Sequence, residues 1–307
     1  MRISPSSHRR SRHRLPPVII AVLLMLPAGA AASQRGAAAP ECRAAGPLVR
    51  LSGLPEASGL AASRRLPGTL WTHNDSGEPV VYALHASGAV TGQLRLTGAK
   101  VEDWEAIAVG PCPGGSCIYV GDIGDNDAER TRITVYRVAE PASGGGGAAP
   151  VTGVFHATYP DGAHDAETLL IAPDGGLFVV TKGDTGPVAV YRFPHELKPG
   201  ATHQLERMGT PRGRTAAGRD DRITDGAISP DGQWTVLRST AALVFYRTAE
   251  LLKGVWREAR RVDVTGNREP QGEGVTFGDA TTVFVAGEGG GKKQPGTFAR
   301  LACAPPT

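Results

Sequence analysis

The sequence predicts an all-β protein, a β-propeller of five blades, and three observations carry that prediction. A short apolar segment ending in an aromatic residue recurs at Tyr82, Tyr136, Tyr191, Tyr246 and Phe298, in steps of 54, 55, 55 and 52 residues. A regular period of this size belongs to a propeller or a solenoid. Each period holds the same short strands in the same order, separated by turn residues, and the fifth lacks a last strand while a spare one stands ahead of the first. Six blades is the alternative, if the long connections hide another.

The innermost strands begin at Ser58, Glu105, Glu167, Asp225 and Glu273. Tight turns follow at Pro67-Gly68, Pro113-Gly114, Pro173-Asp174-Gly175, Pro230-Asp231-Gly232 and Gly278-Asp279, residues whose fixed or positive φ suits hairpins. Second strands are read at residues 70–72, 118–120, 177–179, 234–236 and 283–285, and third strands end at the repeated aromatics. Fourth strands are expected at 93–96, 154–159, 204–208 and 260–264. Residues 47–51 are expected to complete the fifth blade, which removes the exposed edges of an open ring. Residues 143–150, with four consecutive glycines, read as a flexible loop, and residues 210–222 as an extended loop able to cover the channel.

Arg2, Arg9, Arg10, Arg12 and Arg14 precede an apolar run at 18–26 and small residues through Ala30, Ala31 and Ala32, the order of a signal peptide. The run is short of the roughly 20 apolar residues that span a bilayer. Residues 1–32 are therefore expected to be a leader, 33–46 an extension, and 47–303 the propeller of a secreted, monomeric protein with no membrane span after cleavage. A short N-terminal anchor is the alternative. Removing the five leader arginines from 33 basic residues leaves 28 against 30 acidic, a balance of −2, so basicity gives no argument for nucleic acid.

Four cysteines fit an oxidising compartment. Cys112 and Cys117 flank a Pro-Gly-Gly-Ser turn, and Cys42 and Cys303 stand at the two ends of the propeller; the expected pairs are Cys112–Cys117 and Cys42–Cys303. The second would lock the ring, with roughly 4–5 kcal/mol in the loop-entropy account. No second Cys or His cluster completes a tetrahedral metal site.

One propeller face gathers the starts of the innermost strands and the loops between second and third strands. Glu105, Glu167, Asp225 and Glu273 make that position acidic in four blades of five. Carboxylates brought together by a ring repel unless a cation, protons or basic side chains compensate. Hard oxygen donors suit Ca²⁺, so Glu105, Glu167, Asp225 and Glu273, with Asp122 beside them, are candidate metal ligands. The alternative is that they accept backbone N–H groups of neighbouring blades with no ligand present. Lys182, Arg238 and His73 are candidates for holding a substrate or anion, or for pairing with the carboxylates. The aromatics at Tyr82, Tyr136, Tyr191 and Tyr246 are expected to pack between blades. Nucleophile-elbow, His-Glu-x-x-His and phosphate-loop motifs are absent from the sequence.

The phrases Glu56-Ala-Ser-Gly-Leu-Ala, Asp103-Trp-Glu-Ala-Ile-Ala and Gln271-Gly-Glu-Gly-Val-Thr, each followed by a turn and an apolar strand, resemble secreted bacterial propellers of the phytase-like and SdiA-regulated kind. They are more distantly similar to calcium-dependent lactonase propellers. The resemblance implies a calcium-bearing channel and, in enzyme members, hydrolysis of phosphate or lactone esters. It places Glu105, Glu167, Asp225 and Glu273 as channel carboxylates and Lys182 and Arg238 at a phosphate. This chain departs from phytases in blade count and in its few basic residues at the mouth. Three expectations stand: a binding module for an extracellular ligand, a Ca²⁺-dependent ester hydrolase with Glu167 and Asp225 as catalytic carboxylates, and, ranked last because nothing in the rim loops singles out such a cofactor, a quinone-cofactor dehydrogenase.

Overall fold

Five sheets, each built on four antiparallel strands, radiate from a common axis in the computed structural model, which describes residues 42–211, 218–291 and 293–303 together with Met1 and Pro306. Contacts divide the chain into Met1–Ala38 and Ala39–Thr307, and the propeller belongs to the second part. The expected leader lies outside the described residues, as does the centre of the loop at 210–222. From the axis outward, blade one is Ala57–Ala62, Thr69–Asn74, Val80–His85 and Val90–Thr97. Blade two is Trp104–Cys112, Gly115–Asp122, Ile133–Ala139 and Gly153–Thr158. Blade three is Ala166–Ile171, Leu177–Thr181, Val190–Arg192 and Glu206–Gly209, and blade four is Ile223–Ile228, Trp234–Ser239, Ala242–Arg247 and Glu258–Asp263. Among the described residues the helical content is the single turn Thr248–Leu251 and two 3-10 turns, and no helix is long and apolar enough to cross a membrane.

Blade five takes three strands, Gln271–Asp279, Thr282–Glu288 and Gly296–Ala302, from the end of the sequence and its outer strand from the beginning. Val49 pairs with Phe298 and Leu51 with Gly296, while Arg43 pairs with Ala302 further along the same edge. Disulfides join Cys42 to Cys303 and Cys112 to Cys117. The first spans 261 residues and sits beside the closing strand, so covalent and hydrogen-bonded closure coincide.

The inner and second strands read as continuous apolar runs because each sheet is covered on both faces by its neighbours. Every residue of Leu177–Thr181 is buried, as is every residue of Ala166–Ile171. The core is accordingly five slabs between adjacent blades. Trp71, Trp104 and Tyr136 fill the slab between blades one and two, Phe155, Leu169 and Tyr191 the next, and Phe178, Leu237 and Tyr246 the third. Phe245, Phe277 and Val285 follow, then Leu51, Leu60 and Phe298 at the closure. The repeated tyrosines thus serve as packing between blades.

Two stretches differ from expectation for one reason, the pairing capacity of blade edges. Residues 143–150 do not stay a loop throughout: Gly147–Pro150 adds a parallel fifth strand to blade one, where a Cβ at Gly92 would run into the Gly144 carbonyl. The strand expected at 204–208 divides. Thr202–Gln204 leaves to pair in parallel with the outer strand of blade two, and Glu206–Gly209 alone completes blade three. An unpaired strand edge recruits whatever chain lies alongside.

Replacing Cys42 and Cys303 together by Ser is expected to cost roughly 5 kcal/mol of unfolding free energy, and replacing Cys112 and Cys117 about 2 kcal/mol, since the closed loop is far shorter. Denaturant unfolding of the two double variants checks the order.

Candidate functional site

A register slip near the start of every innermost strand builds the channel mouth. Pairing with the second strand shifts between Ala57 and Leu60, Trp104 and Ala106, Ala166 and Thr168, Ile223 and Asp225, and Gly272 and Val275. A bulge of this kind inserts one residue and re-aims its side chain. The extra residue is Glu105 in blade two, Glu167 in blade three and Thr224 in blade four. Ser58 and Glu273 lie in the corresponding slips of blades one and five. The side chains confirm the equivalence of Ser58 and Thr224. Ser58 Oγ donates to Glu105 O at 3.2 Å, and Thr224 Oγ1 makes the same bond to Glu273 O at 3.2 Å.

The channel position is therefore Ser58, Glu105, Glu167, Thr224 and Glu273, acidic in three blades. Asp225 stands one residue further on, and a one-residue slip turns a side chain to the other face. Its Oδ2 accepts from Val275 N at 2.8 Å and from Leu60 N at 3.3 Å, so a single carboxylate ties blade four to blades five and one. Burial pushes the Asp225 carboxyl well above its ordinary range, against the backbone donors that favour its charge. This geometry gives Asp225 a structural contact rather than a place among the mouth carboxylates.

Glu105, Glu167 and Glu273 form the site. They are 8 %, 2 % and 5 % exposed, and Glu105 also shares side-chain hydrogen bonds with Glu167 and Asp103. Ser58 Oγ donates to Glu105 Oε2 at 2.9 Å, and Gln271 Nε2 donates to Glu273 Oε1 at 2.7 Å. Burial, then the charges of Glu167, Asp103 and Glu273, push Glu105 well above the usual carboxylate range. Burial and the charge of Glu167 do the same to Glu273. Glu167 is raised by burial to about 7, although the Lys182 ammonium opposes the shift.

Lys182 is the cation that faces this group. Its Nζ contacts Glu167 Oε1, lies 3.2 Å from Asp165 Oδ2 and 3.5 Å from Asn126 Oδ1. Burial alone would lower its pKa, yet Glu167 and Asp165 raise it, so the lysine stays charged. Acidity extends to the rim: burial and a hydrogen bond with Glu56 raise Asp75 to about 7, and burial and Glu56 raise Glu288.

The other sequence candidates serve the walls. Arg238 is fully buried and donates from Nη1 to Gly274 O at 2.7 Å and Ala286 O at 2.8 Å, and from Nη2 to Glu269 Oε2 at 2.7 Å. Its guanidinium is thereby committed between blades four and five. His73 is fully buried, edge-on to Trp104, with Nδ1–H donating to Asn74 O at 3.0 Å. Desolvation lowers its pKa to about 4 and keeps it neutral. Asp122 accepts from Glu102 N and Asp103 N at 3.2 Å and pairs with Arg130 at 2.8 Å, anchoring the loop ahead of Glu105. Sequence reasoning missed Glu269, Gln271 and Thr224. Counting six residues back from the shared Pro-Asp-Gly turns, from Pro173 to Glu167 and from Pro230 to Thr224, would have found the last.

No family model and no curated protein matches the chain. Its fold is similar to the PQQ-bound form of an aldose sugar dehydrogenase from Streptomyces coelicolor, at 13% identity and a TM-score of 0.50, covering 85% of this chain and 98% of that one. A gluconolactonase from Xanthomonas campestris aligns over 86% of this chain and 95% of its own at 13% identity, with a TM-score of 0.42. Fold and site together define a β-propeller with a buried acidic channel mouth.

Carboxyls with raised pKa values hold extra protons in the folded state, so stability falls as pH rises between their ordinary and raised values. In the absence of divalent ions the melting temperature is expected to climb as pH is lowered from about 8 to about 6. Glu273→Gln keeps an acceptor for Gln271, and is expected to flatten that slope and gain about 1 kcal/mol at the alkaline end. Thermal unfolding across pH for both proteins checks this.

Proposed function

We propose that this protein is a secreted ligand-binding propeller whose channel mouth takes a positively charged ligand, with Ca²⁺ as the ion. The observation that carries this reading is the surplus of buried carboxylate at Glu105, Glu167 and Glu273 over the single ammonium of Lys182. Surplus negative charge in a low-dielectric neck lowers its free energy by taking up protons or a cation. The two disulfides support an oxidising, extracellular setting. The donors fit Ca²⁺ in kind, since they are hard oxygens on separate strands. Among the described residues, no three acidic, His or Cys side chains converge at ligand distance. Lys182 lies among the carboxylates and is the group with which an incoming cation would compete.

A second reading, a Ca²⁺-dependent hydrolase of phosphate or lactone esters, is supported by Glu167. A carboxyl with a pKa raised to about 7 is suited to general-base work near neutral pH. A bound Ca²⁺ would supply Lewis-acid polarisation of the ester or phosphoryl oxygen. A polycarboxylate such as PQQ suits this acidic mouth poorly, since the lysine facing it is already paired with Asp165 and Glu167.

Thermal unfolding in EDTA and then in millimolar Ca²⁺ tests the proposal, because a native-state ligand at 100 times its dissociation constant adds roughly 2.7 kcal/mol. The expected outcome is a rise of several degrees that is lost in Glu105→Gln and in Glu273→Gln. Lys182→Met is expected to lower stability in EDTA and to enlarge the response to Ca²⁺. An unchanged melting temperature in both the parent and Lys182→Met would contradict the cation reading. Turnover of a panel of phosphate esters and lactones, abolished by Glu167→Gln, would establish the second reading.

A further inference from the structure

The channel has a second mouth whose chemistry is the reverse of the first. The innermost strands all run in one direction, so the residues about three positions beyond the acidic ring lie roughly 10 Å along the axis. There the five strands enclose a cavity of about 370 Å³, walled in part by Ala62, Ala108, Ile171, Ile228 and Phe277, one from each blade. A volume of this order is that of a small-molecule site. Among the described residues no acidic side chain lines it.

The polar groups of this mouth have unequal freedom. Ser63 Oγ is committed to Glu140 and Ser229 Oγ to Asp231. Thr276 Oγ1 accepts from Ala62 N at 3.1 Å, which leaves its hydroxyl proton available. Arg64 is exposed at the rim, and its guanidinium makes no hydrogen bond or ion pair among the described residues. Its backbone N–H donates to Glu140 Oε1 at 3.2 Å, and the same carboxylate oxygen accepts from Ser63 Oγ and Trp71 Nε1, so the turn that carries Arg64 is pinned. The tie from Asp225 to Leu60 and Val275 stands between the two mouths.

We infer that this second mouth is a binding site for a small amphipathic anion, a molecule with an apolar body of medium acyl-chain size and one carboxylate or sulfonate head. The body occupies the well between the five strands, against the apolar side chains that share its lining with polar groups. The head meets Arg64 and the Thr276 hydroxyl. Charge complementarity selects the anion, since among the described residues the Arg64 guanidinium has no ion pair, while Glu140 Oε1 is taken by Ser63, Trp71 and the Arg64 backbone.

The test uses the oxidised protein and anilinonaphthalene sulfonate, an apolar anion whose fluorescence rises in an apolar site, with octanoate and octanol as competitors. Saturable enhancement is expected, displaced by octanoate at a concentration about tenfold below that needed with octanol. Arg64→Glu, an exposed position, is expected to weaken octanoate about tenfold or more while leaving octanol unchanged. Ala108→Trp, which fills the well, is expected to abolish binding of all three, with near-ultraviolet circular dichroism and the melting temperature reporting that each variant is folded. Absence of saturable binding overturns the proposal. So does octanoate binding that is unchanged in a folded Arg64→Glu, or binding that survives in a folded Ala108→Trp.

Discussion

The close approach of the five innermost strands is the constraint on which the rest of the structure depends. A Cβ built on Gly59 would stand 2.7 Å from Ile107 N, and one on Gly274 would stand 2.8 Å from Ser58 O. Backbones at such spacing leave no room for side chains on the faces they turn to each other, and glycine is the residue that permits it. The same spacing lets hydroxyls at the bulges reach the next blade, from Ser58 to Glu105 and from Thr224 to Glu273. It also lets one carboxylate, that of Asp225, touch two other blades.

A ring this tight buries charge, and the price is paid in electrostatics. Charges in the neck divide by what surrounds them. Arg238 with Glu269, and Asp225 with two backbone amides, hold blades together. Glu105, Glu167 and Glu273 are an open set, with one lysine among them and with mutual repulsion pushing their protons on. Buried groups with perturbed titration in a concave site mark function more often than chance. The division matters because residue type alone does not make it: Asp225 and Glu273 look alike in sequence, and their surroundings give them different tasks.

Architecture was legible because a propeller is periodic. The recurring aromatics at 54- and 55-residue steps, the Pro-Asp-Gly turns and the orphan strand at 47–51 all report the blade count and its closure. The cysteine pairs followed from their placement, at a turn and at the two ends of the propeller. The acidic ring was legible in three blades. In the fourth, Asp225 was aligned with the ring because acidic character was matched before register, although the turn at Pro230 sets Thr224 there. The roles of Arg238 and His73 lay beyond sequence, because whether a polar side chain enters a wall or a channel depends on which neighbouring carbonyls come within reach. Edge pairing by Gly147–Pro150 was hidden for the opposite reason: glycines signal freedom, and a free edge converts that freedom into a strand.

The central claim is that charge buried at Glu105, Glu167 and Glu273 is uncompensated in the protein alone. Titration of the glutamate side-chain carbonyl ¹³C resonances, with these three assigned by substitution and followed first in EDTA and then with Ca²⁺, tests it most directly. The account predicts that all three titrate well above the ordinary glutamate value of 4.5, Glu167 at about 7, and that Ca²⁺ draws them down. Three resonances that titrate near 4.5 and ignore Ca²⁺ would contradict it.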